Sequence, residues 1–195
     1  MDVSILAKKS ALLLVNMQNH SLSCVEANRD IVHNCRKAAE YAHKNKIPVF
    51  YAQTIQREDL SDRVFWISDT NLSKDTLYNK PAFIEGSDEA EIINDIKLES
   101  RDYVISKRRM SAFTGTDLNM LLKAMNIDSI LLGGISSLFD VEATAIAGRE
   151  LDYNLILLTD CIALKSTETQ ELMTKHVFPF IGRCMTLEKA KAKII

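Results

Sequence analysis

The stretch Ser129-Ile-Leu-Leu-Gly-Gly-Ile-Ser-Ser-Leu-Phe-Asp-Val-Glu-Ala-Thr-Ala145 constrains the chain more than any other. It opens with an apolar run too short for a helix and of the right length for a buried strand. Gly133-Gly134 lets backbone approach backbone closely and is expected to stop regular pairing. Ser137, with Asp140 three residues on, resembles a capping box that starts a helix. Strand, glycine turn and helix N-terminus leave backbone N–H groups facing open space, where an anion or a developing oxyanion is favoured. A nucleophile often stands in the first turn of such a helix, and here that residue is Asp140. Helix capping alone also accounts for an acidic residue at this place, so both roles stay open.

The rest of the chain alternates strand and helix. Ala11–Val15 is a solid apolar run, expected as a strand buried on both faces, and it delivers Asn16-Met17-Gln18-Asn19 at its carboxyl end. A helix is expected over Asn28–Lys44, capped by Asn28, with Ile31, Cys35, Ala38 and Ala42 at helical spacing. Ile47–Ala52 reads as the second strand, with Pro48 near its start where a missing N–H is tolerated. Residues 54–90 are the least regular part and contain Phe65 and Trp66; a long insertion after a strand is where a substrate lid can lie. Tyr103–Ser106 reads as the third strand, delivering Lys107, Arg108 and Arg109, and Asp117–Met125 as the next helix. Asn154–Leu158 is the fifth strand, ending in Thr159-Asp160-Cys161. A helix near Thr167–His176 and a strand–helix piece over Arg183–Lys193 complete the chain.

Such alternation demands right-handed crossovers and a parallel sheet covered on both faces. The expected fold is α/β: a single three-layer α/β/α domain over residues 1–195 with a mainly parallel, six-stranded sheet. In sheets of this kind ligands bind beyond the strands' carboxyl ends. Asn16, Lys107 and Asp140 all belong to such ends, so three polar residues from distant sequence are expected to share one pocket. A lysine at the end of a buried strand needs a counter-charge, and Asp140 is the expected partner. Arg108 and Arg109 are expected as solvated surface.

A net charge of -2 gives no reason to expect nucleic acid or an acidic membrane as partner. The first residues lack the basic-then-apolar order of a signal peptide, and no apolar run approaches a membrane-spanning length. Cys24, Cys35, Cys161 and Cys184 are scattered without a CxxC, which fits a reduced, cytoplasmic setting. No GxGxxG or GxxxxGK[ST] occurs, and no cofactor is expected. No role is assigned to His20, His33, His43, His176 or Cys24.

Four blocks, in order, resemble the isochorismatase-like family, also called the cysteine hydrolase family. Ala11-Leu-Leu-Leu-Val-Asn-Met-Gln-Asn19 is similar to its first strand, which usually runs into Asp-Met-Gln. Phe83–Ile92 is similar to its pre-strand segment, Lys107–Leu118 to its lysine motif, and Ile127–Thr144 to its nucleophile motif. The resemblance implies strand order 3-2-1-4-5-6, a small-molecule ligand or substrate and a homo-oligomer, dimer or tetramer. It also implies a cis peptide between Ile135 and Ser136, so Gly134, Ile135 and Ser136 become binding candidates, together with Phe65, Trp66 and Phe113.

The family's amidases use an Asp, a Lys and a Cys, whose positions hold Asn16, Lys107 and Asp140. A carboxamide cannot relay a thiol proton at neutral pH. A carboxylate attacking an amide would form an anhydride and lacks the nucleophilicity of a thiolate. Family members that cleave vinyl ethers dispense with the Cys but need the Asp as proton donor, and Asn16 removes it. Asp140, held ionised by a helix N-terminus and Lys107, is a poor substitute acid. A carboxylate nucleophile acting on an alkyl carbon or an activated ester stays open. The metal-binding members carry histidines after the second strand, and residues 51–90 contain none, so no metal is expected. The resulting expectation is a small-molecule hydrolase of this family with an altered site. The alternative is a catalytically inactive member acting as a binding or oligomeric scaffold protein.

Overall fold

Every residue of the first strand is buried, because a helical layer covers each face of the sheet. The computed structural model describes residues 4–26, 28–62, 82–136 and 139–195. Its strands are β1 (Ser10–Val15), β2 (Val49–Thr54), β3 (Tyr103–Lys107), β4 (Ser129–Ser136), β5 (Asn154–Leu164) and β6 (Arg183–Met185). They form a six-stranded sheet in the order β3-β2-β1-β4-β5-β6, and every neighbouring pair is parallel. The helices are α1 (Asn19–Ser23), α2 (Asn28–Lys44), α3 (Leu118–Ala124), α4 (Asp140–Glu150), α5 (Thr167–Leu172), α6 (Phe178–Ile181) and α7 (Leu187–Lys191). The expected class and strand order are both found.

Side-chain alternation along the strands separates the two cores. Leu12, Leu14, Tyr51 and Leu131 pack with the apolar side of α2 and with Leu187 of α7. Ala11, Leu13, Phe50 and Leu132 face the opposite way and pack with Leu118 and Leu122 of α3 and Val141 and Ala145 of α4. Each face therefore has its own helical layer.

β2 and β3 run one or two residues past their expected ends, and β4 and β5 run further. Gly133-Gly134 does break regular pairing, with a register shift against β5 between Leu132 and Gly134, but it does not end β4, which continues to Ser136. A Cβ on Gly133 would lie 2.8 Å from the Cys161 carbonyl oxygen, and one on Gly134 would lie 2.1 Å from that of Val15. The glycines therefore let a strand pass between two close neighbours, and Gly134 also holds φ at +129°. Likewise β5 continues through Thr159-Asp160-Cys161 to Leu164. The helix expected near Thr167–His176 is α5, capped by Ser166, followed by a π turn over Met173–Val177. Phe65 and Trp66, the larger part of the 54–90 lid expectation, Ser137 and the Asn28 cap lie outside the described residues and side chains.

Candidate functional site

β1 ends at Val15, and the next residue, Asn16, takes the left-handed conformation with φ 51°, which asparagine tolerates better than most side chains. Its N–H donates to the Ala52 carbonyl at 2.7 Å, so the turn stays tied to β2. Gln18 fixes the chain beyond this turn. Its Nε2 donates to the carbonyls of Thr54 (2.9 Å) and Ala90 (2.6 Å), and its Oε1 accepts from the Thr54 N–H at 2.8 Å. These bonds hold the ends of β1 and β2 and the segment before β3 in one arrangement.

Thr54 and Lys107 are register partners at the carboxyl ends of β2 and β3. The Lys107 ammonium donates to Thr54 Oγ1 at 2.7 Å, to the Arg109 carbonyl at 3.1 Å and to Asp140 Oδ1 at 2.7 Å. Thr54 in turn donates to Asn16 Oδ1 at 3.0 Å. Asn16, Thr54, Lys107 and Asp140 thus form one hydrogen-bonded chain, with Lys107 only 1% exposed and Asp140 8%. Burial pushes the Lys107 pKa below its ordinary value, and Asp140 opposes that shift. An ammonium has three N–H donors, and all three are used. The expected Lys107–Asp140 partnership is present as a closed ion pair.

Helix α4 begins at Asp140 itself, with Phe139 before it at φ 67° and no side-chain cap. The capping box expected from Ser137 and Asp140 is therefore out of register, since it would require Asp140 two residues further in, at the third helical position. Ser136 does part of that work: its Oγ accepts from the Val141 N–H at 3.4 Å and donates to the Glu142 carboxylate. Burial raises the pKa of Glu142, the Ser136 bond lowers it, and the charge of Asp140 raises it. Among the described residues every peptide bond is trans, so the cis bond expected between Ile135 and Ser136 is absent. β4 instead carries Gly134, Ile135 and Ser136, beyond a register shift between Leu132 and Gly134, paired with Ile162, Ala163 and Leu164 of β5.

Ile135 is fully buried in the core beside α2, and Phe113 stacks on Tyr153 with ring centroids 5.7 Å apart. Among the described contacts neither side chain meets Lys107 or Asp140. Arg108 is not free surface as expected: its Nε donates to Asp62 Oδ2 at 2.5 Å. Sequence reasoning missed Thr54, Gln18 and Glu142. Thr54 and Gln18 are hydroxyl and amide groups at strand ends, which was the available signal; Glu142 is masked by its place in an ordinary first helical turn.

The isochorismatase domain profile matches residues 10–189. The chain belongs to the isochorismatase family. It is 38% identical to the uncharacterised isochorismatase family protein YwoC of Bacillus subtilis (strain 168), over 53% of this chain and 54% of that protein, so the match spans about half of each. It is 28% identical to the uncharacterised family protein YecD of Escherichia coli O157:H7, over 94% of this chain and 95% of that one. The fold is similar to that of a cysteine hydrolase from Pseudomonas syringae pv. phaseolicola 1448A, with TM-score 0.84, 23% identity, and 97% of this chain and 94% of that one covered. Among the described residues no group of three His, Cys, Asp or Glu side chains is placed to hold a metal ion, and no helix is long and apolar enough to cross a membrane.

Proposed function

We propose that this chain is a small-molecule-binding member of the isochorismatase family in which the family's acid–lysine–thiol chemistry has been replaced by a closed Lys107–Asp140 pair. One observation carries this reading: all three donors of the Lys107 ammonium are spent on Asp140, Thr54 and Arg109. A lysine so committed cannot polarise a substrate without first breaking a buried ion pair. Asn16 replaces the proton carrier, and its Oδ1 is already bound by Thr54. Ligand binding is the role this arrangement retains, and a homo-oligomer in a reduced, cytoplasmic setting belongs to the same proposal.

A second reading, hydrolysis with Asp140 as nucleophile, is favoured by Glu142. Its carboxyl group is buried, with its pKa raised, two residues from the ion-paired Asp140. Two carboxylates whose environments differ in this way can divide acid and nucleophile roles.

The test uses the full chain with a panel of small carboxylates, amides, vinyl ethers and activated esters. Thermal shift and product analysis are read on the wild type and on the double variant Lys107→Met/Asp140→Leu. Binding predicts a saturable rise in Tm without turnover, and at least a tenfold weaker Kd in Asn16→Ala. Turnover of any member of the panel that the double variant loses would establish the hydrolase reading instead.

A further inference from the structure

Of the cysteines, Cys35 and Cys161 are fully buried, and Cys184 is half-buried with burial pushing its thiol pKa up. Cys24 is different. It is half-buried at the end of α1, one helical turn after His20, and its Sγ lies 3.6 Å from His20 Nε2. That spacing on one face is what an i, i+4 pair provides, and a thiol within reach of an imidazole is the pattern of an activated sulfur nucleophile.

The ring of His20 is met from outside its own helix by Phe83, edge-on with centroids 5.1 Å apart, and the backbone beneath it is tied down separately, the His20 main-chain N–H donating to the Glu89 carbonyl at 3.0 Å. Asn19 adds two bonds to the same segment, from Nδ2 to the Asp88 carbonyl at 2.8 Å and from N–H to the Glu91 carbonyl at 3.0 Å. Ser23 Oγ donates to the His20 carbonyl at 2.7 Å and stands 3.9 Å from the sulfur. Because Gln18 pins the start of α1 to Thr54, the pair lies on the same carboxyl-end rim as Lys107. Burial lowers the pKa of His20 and the charge of Glu89 opposes it. A histidine with a lowered pKa is mostly neutral at pH 7 and can accept a proton.

We propose that Cys24 and His20 form a thiol–imidazole nucleophilic pair on the rim of the sheet, able to take an acyl group from an activated ester. The Cys24 S–H proton passes to His20 Nε2, the sulfur attacks the ester carbonyl carbon, and the C–O bond breaks. The leaving alkoxide takes the proton from the imidazolium, and a thioester remains on Cys24. Water then attacks the thioester: one of its protons goes to His20, the C–S bond breaks, and the sulfur recovers that proton. No oxidant or co-reactant beyond water is needed. Neither residue takes part in the Lys107–Asp140 pair, so the inference stands apart from the binding reading and fails separately from it.

The full chain is incubated with p-nitrophenyl acetate at pH 7.5, following nitrophenolate release and intact mass, with the acetylated peptide identified after digestion. The expected result is a burst of nitrophenolate with one acetyl group on Cys24, absent in Cys24→Ser. His20→Ala and His20→Asn, each checked by circular dichroism, are expected to slow acetylation at least tenfold. Lys107→Met/Asp140→Leu is expected to keep the burst. Acetylation at Cys184 instead, no adduct at all, or equal rates with and without His20 in either folded variant would overturn the proposal.

Discussion

At the scale of single residues, Lys107 dominates the energetics of the site. Removing water from an ammonium costs several kcal/mol, and the cost is recovered only if a carboxylate and other acceptors surround it. Asp140, Thr54 and the Arg109 carbonyl do so. Asp140→Asn therefore cannot be a silent substitution even in a protein with no chemistry: it strands a buried charge. It is expected to cost about 3–5 kcal/mol in chemical denaturation. Lys107→Met/Asp140→Leu removes both charges and is expected to regain most of that loss. A single variant as stable as the wild type would show that the pair is open in solution. Glu142 titrates in the opposite sense from an ordinary ion-paired acid. Its folded pKa is raised above the unfolded value, so its stabilising contribution is complete below about pH 4.5 and is lost as pH rises through the folded pKa. Glu142→Gln keeps an acceptor for Ser136 without the charge. Its Tm relative to wild type is expected to improve as pH rises above about 4.5, and a flat difference would place Glu142 in water.

At the scale of elements, the sequence is most readable where local periodicity decides the outcome. The 3.6-residue spacing of Ile31, Cys35, Ala38 and Ala42 marks α2, and its observed bounds are those expected. It is least readable where a distant partner decides. Thr159-Asp160 reads as a strand end because polar residues rarely continue a buried strand. Asp160 can stay inside β5 because its Oδ1 accepts the Leu187 N–H at 2.8 Å and its carbonyl accepts from Asn34 Nδ2 at 2.7 Å. Gly133-Gly134 marks the break in regular pairing, but that β4 continues beyond it depends on the carbonyls of Val15 and Cys161, which no local window contains. Another such partner ties α2 to the turn before β3. His43, near the helix C-terminus, places Nε2 2.7 Å from Asp102 and Nδ1 2.9 Å from Glu99. The Asp102 side chain is only 1% exposed and also accepts the Glu99 N–H at 2.8 Å. His43→Ala leaves that carboxylate short of a partner and is expected to cost about 1–3 kcal/mol. The urea midpoint should fall while the m-value stays constant, since no element is released; an unchanged midpoint would mean that water replaces the imidazole without penalty.

At the scale of the whole molecule, the fold requires one negative charge beside Lys107 but does not dictate which strand or helix supplies it. In the function proposed above, Asn16 and Asp140 stand at the positions that carry Asp and Cys in the family's amidases. On that identification the site has moved its carboxylate from the end of β1 to the start of α4, keeping the buried trio neutral. Stability and chemistry are then separable. Asn16→Asp alone puts two carboxylates around one ammonium, and Asp140→Cys alone leaves the ammonium without a counter-ion. Each is expected to destabilise the chain by about 2 kcal/mol or more. The double variant Asn16→Asp/Asp140→Cys restores a single carboxylate near Lys107 and is expected to lie within about 1 kcal/mol of wild type, a coupling that contacts between neighbours permit and distant sites do not. Equilibrium unfolding of all four proteins measures that coupling directly. Strictly additive losses would mean that the Asn16 position cannot deliver charge to Lys107, and the replaced-triad reading of the site would fall with it.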